Sequence, residues 1–239
     1  FCFRKYIGSK DNYGIEVTSK DKILGMVKKA AKLNLPCAIH AIGDKAISNA
    51  LDCLEQAPSL KGVRRHRLEH LQMLRRSDIK RLKRLGVVAS MQPSHCPSDI
   101  KMIVKYWGER GENCFVFKTL IDNKIPLVFG SDAPIEPLDP IAGINAAVNR
   151  FAPGTKKSFY PEERITIADA VFGFTAGSVY AVGQEHERGY LLPGHKADFI
   201  ILSEDIYKIP KTAIKNIGVM ATFFDGRLVF QEKGSKLNI

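Results

Sequence analysis

Three side chains in this 239-residue sequence have the types and the placement to hold a metal ion: His40, His70 and Asp132. Asp132 stands in IPLVFGSDAPIEP. There the apolar run Leu127 to Phe129 is closed by Gly130 and gives way to Pro134 and Pro137, the pattern of a buried strand ending in a loop. His40 ends the apolar run in CAIHAIGD and His70 the one in HRLEHLQ, so all three groups fall at the C-terminal mouths of strands. Two imidazoles and a carboxylate placed alike in successive strand–helix units suit zinc or a similar divalent ion better than any one of them alone. Taken singly, a strand-end histidine is more often a hydrogen-bonded structural residue, and Asp132 could cap the turn that follows it.

Other residues compete for a chemical role. His66 to His70 spell H-x-x-E-H, the inverted zinc-protease motif, which requires a helix so that both histidines share a face. Here Arg65, Arg67 and Glu69 alternate with His66, Leu68 and His70 in a strand-sized piece, so a protease is a minor alternative. His95 follows the third strand and either contacts substrate or closes the loop beside Pro93 and Pro97; both readings stay open. His186 and His195 lie in a polar connection and tail and read as structural. Cys96 has no nearby base, which argues against a thiol nucleophile.

The elements that must position these groups repeat a unit. Residues 1 to 17 show no clean period, and Gly8 to Gly14 reads as loop. Thr18 or Ser19 caps a helix from about Lys20 to Leu33, followed by a strand Cys37 to Ala41. Asp44 caps a helix to about Gln56, a strand runs from about Arg65 to Leu71, and Ser77 and Asp78 open a helix through Leu85 that Gly86 stops. A third strand, Val87 to Met91, precedes a looser helical stretch through Trp107, and a helix Phe115 to Asn123 leads into the strand at Leu127. Strands separated by helices of this length imply right-handed crossovers and a parallel sheet with its active groups on the loops after the strands. Pro140 to Asn149 and Thr166 to Tyr180 read as two more helices. Beyond Gly183 come the Pro193-Gly194 turn, a strand Asp198 to Leu202 and the hairpin signal FFDGRLVF.

Composition bounds the partners. The 45% apolar content is that of a soluble globular protein, and no run approaches the length of a membrane span. Lys and Arg number 36 against 25 Asp and Glu, giving +11, with runs at Lys61 to Arg67 and Arg75 to Arg84. No nucleic-acid motif accompanies that charge, so the runs read as solvated helix faces and no nucleic-acid partner is expected. The five cysteines, Cys2, Cys37, Cys53, Cys96 and Cys114, are not closely paired, which points to neither a disulfide framework nor a structural zinc knuckle and makes a reducing cytoplasm the default.

From about Tyr13 to Phe230 the sequence resembles the amidohydrolase superfamily, in the branch that includes N-substituted formamide deformylases and related amidohydrolase family 3 proteins. HAIGDKA, RHRLEH, QPSH, FGSDAPIEPLDP and GYLLPGHKADFIIL carry the resemblance by their order and spacing. It implies an α/β chain: the C-terminal half of a (β/α)8 TIM barrel over residues 1–184, strands five to eight, with residues 185–239 forming part of a small composite β-sandwich. It also implies that His40, His70 and Asp132 bind a divalent metal, with zinc the first choice and iron or manganese as alternatives, and that Asp132 shuttles a proton from the attacking water to the leaving amine. Such an ion lowers the pKa of its water and polarises the scissile carbonyl. Gln92 and His95 then fall where substrate contacts are expected, and the substrate is a small amide or N-formyl compound.

The sequence departs from that family in one large respect. The family's His-x-His pair from the first strand and its bridging carboxylated Lys or Glu from the fourth are missing, and Lys10 and Lys20 stand in the wrong context to replace the bridge. Four strands do not close an eight-stranded barrel, so the strands at Cys37 and Leu127 are expected to be hydrophobic edges. The chain is therefore expected to be a fragment, completed by the missing N-terminal half or by a homo-oligomer partner, and by itself to bind metal weakly and hydrolyse little or nothing. The opposing reading is a non-catalytic half-barrel that serves binding or assembly.

Overall fold

The computed structural model describes residues 1–234. Helix α1 (Lys20–Lys32) leads into strand β1 (Ala38–Ala41), α2 (Asp44–Glu55), β2 (Arg67–His70), α3 (Arg76–Leu85) and β3 (Val88–Met91). Helices α4 (His95–Tyr106) and α5 (Phe117–Asp122) then precede β4 (Leu127–Phe129). The four strands form one parallel sheet in the order β1-β2-β3-β4, the layout of half a (β/α) barrel.

The helices form because their apolar residues recur at helical spacing. In α2, Ile47, Ala50, Leu51 and Leu54 are all buried, and in α3 Ile79 and Leu82 face the same core. Gly86 stops α3 in the left-handed conformation that a residue with a Cβ adopts reluctantly. The expected caps hold less well than the helices. Ser19 occupies the N-cap of α1 without a side-chain bond, Gly43 rather than Asp44 is the N-cap of α2, and Arg75 precedes α3. Asp44 instead accepts the N–H of Phe3, and Asp78 is held by Arg75 and Arg81, so each carboxylate is engaged away from its helix end.

Register sorts the strands into two faces. His40, Glu69, Ser90 and Val128 lie abreast on one face. Ile39, Leu68, Ala89 and Leu127 lie abreast on the other, where Leu68, Ala89 and Leu127 join the main core with Ile47, Leu51 and Leu82. Val88 and Val128 on the first face pack instead against Ala181.

Three expectations about the second half need correction. Residues 166–180 form two helices, α7 (Ile167–Phe174) and α8 (Ala176–Ala181), after α6 (Pro140–Asn149). The break falls at Thr175, whose φ of −118° and ψ of −98° leave the helix and whose hydroxyl bonds back to the Val171 carbonyl. The break lets both helices close over β4, so this strand is buried along its whole length and is not a bare edge. Glycine makes that approach possible: a Cβ at Gly173 would meet the Phe129 ring at 2.5 Å and one at Gly177 the Leu127 carbonyl at 3.0 Å. At the opposite edge β1 keeps Ala38 and His40 exposed. The looser helical stretch through Trp107 begins at His95, inside the Pro93 to Pro97 segment read as loop.

The C-terminal region adds an antiparallel sheet, β5 (Phe199–Leu202), β6 (Val219–Phe224) and β7 (Arg227–Gln231). The hairpin turn places Asp225 at φ +51° and Gly226 at φ +76°, the two left-handed residues of a type I′ turn. Ile206, Ile214 and Ile217 belong to the main core. Part of each basic run is tied to acids: Arg65 to Glu185, Arg67 to Glu69, Arg75 to Asp78, Arg81 to Asp52, Glu55 and Asp78, and Arg84 to Glu55. Among the described residues no helix is long and apolar enough to cross a membrane.

Candidate metal centre

All five residues singled out in the sequence stand at the C-terminal ends of the parallel strands. His40 is near the end of β1, His70 ends β2, Gln92 follows β3, His95 opens α4, and Asp132 lies in the loop after β4. The His40 and His70 rings meet edge to face with centroids 4.4 Å apart, and His70 meets His95 at 5.8 Å. His95 Nε2 lies 3.6 Å from Asp132 Oδ2. Gln92, His70 and His95 are buried, while His40 is exposed and the Asp132 side chain is 37% exposed. The backbone carbonyl of Gln92 accepts the N–H of His95 and so starts α4.

The His40–His70 contact needs a local distortion. Register pairs His70 with Ala41, on the face opposite His40, so a regular strand would turn the His70 ring toward the helices. Instead His70 has φ +74°, and the Leu71 N–H bonds to the Glu69 carbonyl, closing a γ-turn about His70. Leu71 at φ +45° and Asp132 at φ +60° are also left-handed, a costly conformation for residues with a Cβ. The strain re-aims the imidazole from the core to the site.

The zinc-protease alternative fails on geometry. His66 to His70 run into and along β2 rather than a helix, so four residues at about 3.3 Å each separate the two imidazoles by about 13 Å of strand. His66 Nδ1 is already occupied, accepting the Cys37 N–H at 3.1 Å.

Burial pushes the His70 imidazole below the ordinary histidine range, with the neighbouring His40 acting in the same direction and Asp132 opposing. A neutral imidazole is the form that binds a metal. His70 Nδ1 and His95 Nε2 are buried with no hydrogen-bond partner, an arrangement that is costly unless another group satisfies them. In kind, the imidazoles of His40 and His70 and the Asp132 carboxylate fit a divalent ion. In number they fall short: among the described residues no three His, Cys, Asp or Glu side chains converge into a set that could hold a metal ion. Lys20 is engaged elsewhere, with Asp52 at 2.5 Å. Cys96 is fully buried and its thiol is pushed up to about 11 by that burial, which keeps it protonated and unreactive.

Two residues belong to this site that the motifs do not single out, Gln72 and Asp99. Gln72 Nε2 donates to Asp99 Oδ2 at 2.9 Å and lies 3.5 Å from His95 Nδ1. The signal for Asp99 was present, since it follows His95 by four residues on α4 and so shares its helix face.

The sequence profile described as "Amidohydrolase family" matches residues 3–230. The chain belongs to the amidohydrolase family. Among curated relatives, this amidohydrolase-family chain is 34% identical over 232 residues to the Protein LONG AFTER FAR-RED 3 of Arabidopsis thaliana, covering 95% of this chain and 40% of that protein. It is 26% identical over 245 residues to the N-substituted formamide deformylase of Arthrobacter pascens, covering 95% of this chain and 42% of the relative. Among solved structures it is similar to an uncharacterized metal-dependent hydrolase from Pyrococcus furiosus, with a TM-score of 0.75 and 36% identity over 87% of this chain and 42% of the other. The chain thus spans about two fifths of the length of these relatives.

Proposed function

We propose that this chain is the metal-binding second half of an amidohydrolase that cleaves a carbon–nitrogen bond other than a peptide bond, in a small amide or N-formyl compound. The observation that carries the reading is the ring contact of His40 and His70 at the mouths of β1 and β2, made by a γ-turn at His70, with Asp132 in the loop after β4 reaching His95, which in turn meets His70. The names of the deformylase and of the metal-dependent hydrolase support the class of reaction.

In this reading His40, His70 and Asp132 hold the ion, zinc in first place and iron or manganese as alternatives. When bound, the ion supplies an acidified water and a Lewis acid for the scissile carbonyl. Asp132 accepts the proton of the attacking water on a carboxylate oxygen and returns it to the leaving nitrogen, giving a carboxylic acid and an amine. Its partial exposure leaves it accessible to substrate, while Gln92 and His95 line the approach from the buried side.

The remaining donors come from the family's first-half strands or from a homo-oligomer partner, which would pair with the exposed edge of β1. Residues 1–184 carry the half-barrel and 185–239 the sandwich part, of which the last five residues lie outside those described. The five free cysteines suit a reducing cytoplasm.

Zinc titration by calorimetry tests the assignment. Weak saturable binding is expected, reduced at least tenfold in Asp132→Ala and in His70→Asn. Equal binding by both variants would remove these residues from the metal set. Turnover of an N-formyl amine is expected only when the complementary half is supplied. Zinc binding without any such turnover, over a panel of amides, would favour the non-catalytic half-barrel.

A further inference from the structure

We propose that Gln72, oriented by Asp99, is a positioning residue that locks His95 in the tautomer with its proton on Nε2 and so aims an N–H donor at the Asp132 carboxylate. The argument begins at Asp99. An ionised carboxylate only accepts hydrogen bonds, so the group of Gln72 that faces Asp99 Oδ2 at 2.9 Å is the amide NH2; the reverse orientation would set two acceptor oxygens against each other. That choice decides the next contact, because the same Nε2 lies 3.5 Å from His95 Nδ1 and brings its second N–H there. Nδ1 is thereby the acceptor, and the single proton of a neutral His95 resides on Nε2.

Nε2 is the nitrogen that faces Asp132 Oδ2 at 3.6 Å and has no hydrogen-bond partner. A closure of about half an ångström would turn this contact into a charge-assisted hydrogen bond on one carboxylate oxygen. The other oxygen of Asp132 is then free to work. The same tautomer sets His95 apart from His40 and His70: with Nδ1 turned to Gln72 and Nε2 protonated, it presents no lone pair to a metal. The burial of Gln72 and His95 protects the relay from competing water.

The purpose assigned to the relay rests on the proposed role of Asp132, but the tautomer is a property of the metal-free protein and is tested without metal or substrate. Side-chain nitrogen NMR of 15N-labelled protein in EDTA reads the protonation of each imidazole nitrogen. The expected result, read above the pH at which the imidazole protonates, is a neutral His95 with its proton on Nε2 and none on Nδ1. Gln72→Glu replaces the donor by an acceptor and is expected to shift the proton to Nδ1. Asp99→Asn frees the Gln72 amide to turn over and is expected to introduce the Nδ1-protonated form as a second population. His66, whose Nδ1 accepts the Cys37 N–H, reports whether each variant is folded and should not change. Neutral wild-type His95 with its proton on Nδ1 would overturn the proposal. So would an unaltered His95 in whichever variants keep the His66 signature. Failure to bind zinc would touch only the proposed function.

Discussion

His40 and His70 meet ring to ring at 4.4 Å although the register of β1 and β2 assigns them to opposite faces of the sheet. The γ-turn at His70 resolves the conflict, and its cost is separable from the loss of the imidazole. Asn tolerates positive φ whereas a β-branched residue does not. His70→Val is therefore expected to be about 1–2 kcal/mol less stable than His70→Asn, measured by urea unfolding in EDTA. Equal stabilities would mean that the turn carries no strain.

Arg150 is fully buried and, among the described residues, has no carboxylate partner. Its guanidinium donates to the carbonyls of Phe159 and Phe115, each at 2.8 Å, and lies over the Phe117 ring at 5.3 Å. Arg150→Met would keep much of the volume but take the donor from the Phe159 carbonyl, while the Phe115 carbonyl keeps its bond from the Phe117 N–H. A loss of about 1–3 kcal/mol is expected from urea midpoints; no measurable loss would show that the freed carbonyl finds another donor.

His66 governs part of the acid response. Burial holds its imidazole below the ordinary histidine range, so the unfolded chain binds its proton first as pH falls. Stability from neutral His66 is complete above the unfolded value of about 6.5 and is lost as pH drops from there through the lower folded value. Protonation would also forfeit the bond that Nδ1 accepts from Cys37. His66→Gln should flatten the decline of stability between about pH 6.5 and 5 relative to wild type. Parallel curves for the two proteins would assign that decline elsewhere.

Much of the barrel half was legible in the sequence because the signals are local. Runs closed by Gly43, Pro93 and Gly130 marked three of the parallel strands and the alternation from Arg65 to His70 the fourth, Asp225-Gly226 marked the hairpin, and His40, His70 and Asp132 were recognisable as strand-end groups. Where the sequence reading went astray, a distant partner decided the outcome. The stretch from Thr166 to Tyr180 has one helical period, yet it breaks at Thr175 and its two helices close over β4. Asp44 and Asp78 have the composition of caps but were drawn to Phe3, Arg75 and Arg81. Asp99 shares a helix face with His95, but it lies 27 residues from the Gln72 it orients, and only the fold brings those two together. The face a strand residue presents is set by a period of two, which the sequence displays. The reversal at His70 and the relay to Asp132 arise only when four strands and their loops meet, because strain and burial are settled by packing between segments far apart in the chain.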